Sequence, residues 1–88
     1  MDIHVWFFGR FRELATRRRI VILAGEARLG DLIAWLIKEY GIEFGEEIKN
    51  TKNYAIMRNK RYCTLSTHRN ELLEDGDIVA FLPIIAGG

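Results

Sequence analysis

Apolar residues recur at helical spacing between Leu29 and Tyr40. Leu29, Leu32, Ile33, Leu36, Ile37 and Tyr40 fall at i, i+3, i+4, i+7, i+8 and i+11, one face of an α-helix. Gly41 follows at once, where a left-handed terminating residue is expected, and Asp31 suits the positive end of the helix dipole. Arg28 holds the entry position, where Ser, Thr or Asp would cap better, and Trp35 flanks the stripe. In a chain of 88 residues this is the one long amphipathic helix, so its apolar face needs a sheet to lie on.

The rest of the chain supplies strands for that sheet. Ile3 to Gly9 (IHVWFFG) is β-branched and aromatic. Alternation places Ile3, Val5 and Phe7 on one face and His4, Trp6 and Phe8 on the other, so this strand reads as central and at least partly covered on both sides. RFRELATRRR reads as a polar connection, leading to a second strand at Ile20–Gly25 that forms a long-turned hairpin with the first. After the helix, IEFGEEIKNTKN reads as a loop with a short helix near Glu46–Asn50. Tyr54–Asn59 is a third strand, Arg58–Arg61 a turn, and Arg61–Leu65 a short return strand. STHRNELLEDGD is loop, closed by the turn signal Asp75-Gly76-Asp77. Ile78–Leu82 is the last strand, and regular pairing is expected to stop at Pro83, which has no N–H to donate.

The fold class is therefore α+β, a mixed sheet of four or five strands packed on one main helix, in a single domain spanning residues 1–88. The first and last strands are both strongly apolar and pair most simply side by side and parallel, the β-grasp (ubiquitin-like) arrangement.

Charge narrows the function. The 13 basic and 12 acidic residues leave a net charge of +1, which argues against bulk-charge binding of nucleic acid and against a polybasic membrane anchor. The N-terminal stretch reads as neither a signal peptide nor a membrane span. Cys63 is the one cysteine, and a reducing, cytoplasmic setting is expected. It reads as a buried or incidental thiol, and Trp6 and Trp35 as packing residues. His4 and His68 lack a third ligand at a recognisable spacing, so no metal site is expected. Arg17-Arg18-Arg19 reads as a solvated turn, with contact to an acidic partner as the sharper alternative. Nothing in the chain could catalyse a reaction unaided.

The other constraint is FLPIIAGG, where an apolar strand passes through Pro83 into Gly87-Gly88. FFGRFREL at 7–14, the hairpin and helix, and LEDGDIVAFLPIIAGG at 73–88 resemble the MoaD/ThiS family of ubiquitin-like sulfur carriers, most closely its MoaD branch. The resemblance covers the whole chain. Two features depart from it: one proline precedes the last residues where MoaD-like tails carry two, and the stretch 59–74 is longer than expected.

The resemblance implies that Gly88 is the reacting residue. A MoeB-like, ubiquitin-activating-type partner would adenylate its carboxylate with ATP and magnesium, and a sulfur donor protein would turn it into a thiocarboxylate. A MoaE-like large subunit, expected in a heterotetramer, would receive the tail, and the sulfur would pass to a cyclic pterin precursor. The chain itself would bind no cofactor. The residue types suit that chemistry: glycine has no Cβ to hinder attack on the acyl carbon and can thread a narrow channel, and Pro83 stiffens the exit of the tail (83–88). The expected partner-binding residues are Phe8, Leu82, Pro83, Ile84, Ile85, Ala86 and Gly87. With Val79 and Phe81 inward, Ile78, Ala80 and Leu82 share the outer face with Phe8 and form an apolar docking surface. Related readings keep the tail but change the recipient to thiazole synthesis, tRNA thiolation or conjugation to lysines. In a reading of another class, the domain is a binding module and the glycines fray.

Overall fold

The computed structural model describes residues 1–84. β1 (Asp2–Phe7) sends Ile3, Val5 and Phe7 inward, and none of the three is more than 1% exposed. β1 is flanked on one side by β2 (Arg18–Ile22), antiparallel, and on the other by β5 (Ile78–Pro83), parallel. β3 (Tyr54–Arg58) continues the sheet antiparallel to β5, and β4 (Arg61–Cys63) closes it antiparallel to β3. The order β2-β1-β5-β3-β4, with first and last strands parallel at the centre, is the β-grasp arrangement.

α2 spans Leu29–Tyr40, the stripe expected from the sequence, and buries Leu29, Leu32, Ile33 and Leu36. Its weak entry is repaired from within, because the Asp31 carboxylate accepts the backbone N–H of Arg28 at 2.8 Å. Gly41 ends it at φ 96°, where a side chain would be strained. Both central residues of the β3–β4 turn have positive φ, Asn59 at 49° and Lys60 at 71°, as a two-residue hairpin turn requires.

Several expectations need correction. The segment expected as a polar connection contains α1 (Gly9–Leu14), a helix of 6 residues. It is too short to show a period, and its one fully buried residue, Phe11, holds it against the core. Phe11 meets Tyr54 at 4.9 Å and Phe44 at 5.3 Å between ring centroids, within a cluster that includes Phe7 and Phe81. β2 begins two residues earlier than Ile20 and ends at Ile22, because pairing Ile3 with Val21 puts Arg18 opposite Trp6. Arg18 and Arg19 therefore lie in a strand, not a turn. Arg18 stacks on Trp6 at 4.5 Å on the outer face. Arg19 lies over Trp35 at 4.8 Å and donates to the Tyr40 hydroxyl at 3.2 Å. Long cationic side chains here cover apolar rings while their charges stay near water.

The expected short helix at Glu46–Asn50 is α3 (Ile42–Lys49), which buries Phe44, Gly45 and Ile48. The loop after β4 contains α4 (Leu65–His68), where the Thr64 hydroxyl accepts the Thr67 N–H at 3.3 Å. β4 stops at Cys63 rather than Leu65. The helices bury their apolar residues in one cluster with the inner face of the sheet. His4 and Trp6, on the outer face of β1, are half-buried, and among the described residues no helix covers them.

Candidate functional site

β5 connects the two surfaces that matter. Val79 and Phe81 are fully buried, while Ile78, Ala80 and Leu82 face outward as the alternation predicts. Strand register aligns a row across all five strands on that outer face: Arg18, Trp6, Ala80, Met57 and Tyr62. Alongside it runs an open hollow of about 460 Å³ walled by Trp6, Phe8, Met57, Ile78, Ala80 and Leu82, with Asn59 and Lys60 at one end. Phe8 and Ile78 are each 37% exposed and Ile84 43%, so the surface is apolar and open to solvent. Phe8 and Leu82, the docking residues expected on the strands, do share this face. Trp6 and Met57 complete it. Trp6 is thus a wall of the hollow rather than a packing residue alone, and the β1 alternation already puts it on that side.

At the end of this surface the chain leaves the sheet. Pro83 is still paired, opposite Tyr54, contrary to the expectation that pairing would stop there. The ladder needs no donor from Pro83 at this position, because the next N–H, of Ile84, donates to the Asn53 carbonyl at 2.9 Å. On the other side the Phe8 N–H donates to the Phe81 carbonyl at 3.0 Å. Gly9, at φ 57°, lies against the Pro83 ring. Pro83 and Ile84 are exposed. Ile85, Ala86 and Gly87, expected to dock, and Gly88, expected to react, lie outside the described residues.

At the opposite end of β5, Asp77 is 4% exposed and Arg58 9%. The Asp77 carboxylate accepts from Arg58 Nε and from the Glu74 N–H, both at 2.8 Å, and from the Asn59 amide at 2.8 Å. Burial pushes this carboxyl upward, but the Glu74, Asn59 and Arg58 donors outweigh it and hold it below the usual range. Glu71 bridges Arg58 and Arg61 and is likewise held low, chiefly by its hydrogen bond from Arg58. The sequence signals a turn at Asp75-Gly76-Asp77 but does not announce this network. The nearest thing to a signal is Arg58 itself: it shares the inward face with Tyr54 and Ile56, and a buried guanidinium needs a buried acid.

Cys63 is 1% exposed, and burial pushes its thiol up, the opposite of activation. His4 lies on the outer face between Ile20 and Ile78. His68 accepts the Thr64 N–H at 2.9 Å. Among the described residues no group of three His, Cys, Asp or Glu side chains is placed to hold a metal, and no helix is long and apolar enough to cross a membrane.

A five-stranded sheet with parallel first and last strands at its centre, packed on one main helix and open on its outer face, defines a ubiquitin-like β-grasp domain. The chain belongs to the ThiS family, whose model matches residues 5–88. Over 89 residues it is 33% identical to the molybdopterin synthase sulfur carrier subunit of Drosophila yakuba, a match spanning all of this chain and 92% of the fly protein. It is 28% identical over 92 residues to small archaeal modifier protein 3 of Haloferax volcanii, covering both chains fully. Among solved structures it resembles, at TM-score 0.65 and 26% identity over the full length of both chains, a chain in the complex of subunits 1 and 2 of the molybdopterin-converting factor from Helicobacter pylori.

Proposed function

We propose that the protein is a sulfur carrier and the small subunit of a molybdopterin synthase. In this reading the Gly88 carboxylate attacks the α-phosphate of ATP in an activating enzyme and pyrophosphate leaves. A sulfur nucleophile then expels AMP and leaves a thiocarboxylate. The loaded tail enters a large subunit, where its sulfur passes to a cyclic pterin precursor. The hollow lined by Phe8 and Leu82, with Pro83 and Ile84 beside it, is the docking surface, and residues 85–88 are the part that reaches in.

One observation carries the reading: β5 both walls the open apolar face and leads directly into the last residues, so a partner gripping that face is brought to the tail. Family membership and the likeness to the fly sulfur carrier subunit support it. The test is intact mass after incubation with the activating enzyme, ATP and sulfide. Exchange of one carboxyl oxygen for sulfur is expected, and an unchanged mass with an enzyme that loads another carrier rejects it. Likeness to the archaeal modifier favours a second reading, in which the same activated Gly88 is joined to lysines of other proteins. Mass spectrometry of cell extract separates the two, since only the modifier leaves an isopeptide remnant on target lysines.

A further inference from the structure

We infer that Arg18, laid over Trp6 beside the docking hollow, receives a carboxylate of the large subunit and so selects that partner by charge, an inference that rests on the carrier reading above. A second open hollow, of about 340 Å³, lies on the β2 side of the first and is walled by His4, Trp6, Arg18, Arg19 and Ile20. Trp6 is the wall common to both. The two arginines are engaged differently. Arg19 pairs with Glu39 of α2 at 2.8 Å and donates to the Tyr40 hydroxyl. Arg18 is exposed and lies over the Trp6 ring at 4.5 Å, and among the described residues no carboxylate pairs with it.

The surroundings decide what fits. Among the outward positions of the five strands the one acid is Asp2, which pairs with Ile22. Arg18 pairs with Trp6, about 14 Å further along the same ladder. The acids of α1, α2 and α3 lie with those helices on the other side of the sheet. The charged residue in the wall of the docking hollow, Lys60, is also a cation. A partner that lays apolar side chains into that hollow therefore meets positive charge at its margins and no acid in its walls. Carboxylates on the partner's rim are attracted there, and cations are repelled. The net charge of +1 gives no broad field to hold nucleic acid or anionic lipid, so one placed guanidinium fits a single carboxylate rather than a polyanion. Stacking covers one plane of the guanidinium and leaves its edge N–H groups to take both oxygens of a carboxylate. The indole also holds the long side chain in place before docking, which lowers the ordering cost of binding.

The test is calorimetric titration of the full chain with its large subunit at ionic strengths of about 0.05 M and about 0.5 M. At the lower ionic strength Arg18→Gln is expected to raise Kd about tenfold, and Arg18→Glu about a hundredfold because it sets like charges together. Arg18→Lys keeps the charge but loses the planar fork, and is expected to fall between wild type and Arg18→Gln. Wild-type binding should weaken as salt rises and Arg18→Gln binding should weaken less, a difference that lost packing alone would not produce. Lys38→Glu makes the same change of charge as Arg18→Glu on an exposed position of α2, and is expected to stay within about twofold of wild type. Should Arg18→Glu fail to fold, Arg18→Gln and Arg18→Lys carry the same comparison. Arg18→Gln binding within about twofold of wild type, Lys38→Glu weakening the complex as much as Arg18→Gln, or equal salt dependence in wild type and Arg18→Gln overturns the inference. Sulfur gain by the wild-type chain is measured alongside. A chain that never gains sulfur overturns the carrier reading itself, whereas one that gains sulfur and binds alike with or without Arg18 overturns this inference alone.

Discussion

Arg58 and Asp77 meet at the junction of β3 and β5, where one carboxylate oxygen accepts Arg58 Nε at 2.8 Å and lies 2.7 Å from the second guanidinium nitrogen. Both groups are buried, so removing one partner strands the other away from water. Asp77→Ala is expected to destabilise the fold by about 3–5 kcal/mol in urea denaturation. An apolar replacement of both residues should recover only part of that, because the Glu74 N–H and the Asn59 amide also lose their acceptor. A stability change under about 1 kcal/mol for the single variant would contradict a structural role for the pair.

The same network sets the response to acid. Asp77 and Glu71 are both held below their ordinary values of 3.8 and 4.5. Protons therefore bind the unfolded chain more readily than the folded one. The stability these groups contribute is present above their ordinary values and is lost as pH falls through the lower, folded ones. Thermal melts between pH of about 6 and about 3 should show the loss, and Asp77→Asn should start lower but fall less.

Phe8 is expected to matter for binding more than for folding. It is 37% exposed and sits on the open face. If a partner buries the roughly 75 Å² that this leaves accessible, Phe8→Ser should weaken the complex with a large subunit by about 2 kcal/mol. Calorimetric titration would measure that loss, while the melting temperature stays within a few degrees of wild type.

Removal of Gly87 and Gly88 tests the tail apart from the fold. The shortened chain should melt like the full one and still bind a large subunit, yet gain no sulfur from the activating enzyme. A binding module with incidental glycines would instead lose nothing that any assay can read.

Long-period and alternating signals are readable in the sequence, and short ones are not. α2 carries six apolar residues in phase and is found where the stripe lies. β5 is apolar throughout, so spacing puts Val79 and Phe81 on one face and Ile78, Ala80 and Leu82 on the other, while burial decides that the first pair is inward. α1 is held by Phe11, one residue whose contacts with Phe44, Tyr54 and Phe81 exist only after folding. The start of β2 is set by register against β1, which no local pattern encodes, and its arginines resemble a turn because their role is to lie along Trp6 and Trp35. The open apolar face is half legible: Phe8 and Leu82 follow from alternation, while Met57 joins them only through the pairing of β3 with β5. The Arg58–Asp77 pair joins residues 19 positions apart and has no local signature.

The parallel pairing of β1 with β5 has a consequence for synthesis. These neighbours at the centre of the sheet are separated by most of the polypeptide, so the slowest loop to close is also the indispensable one. A nascent chain interrupted before residue 78 lacks the middle of its sheet, leaving β1 and β3 with unpaired edges on the ribosome. A translation product must therefore run through β5 before the centre of its sheet can close.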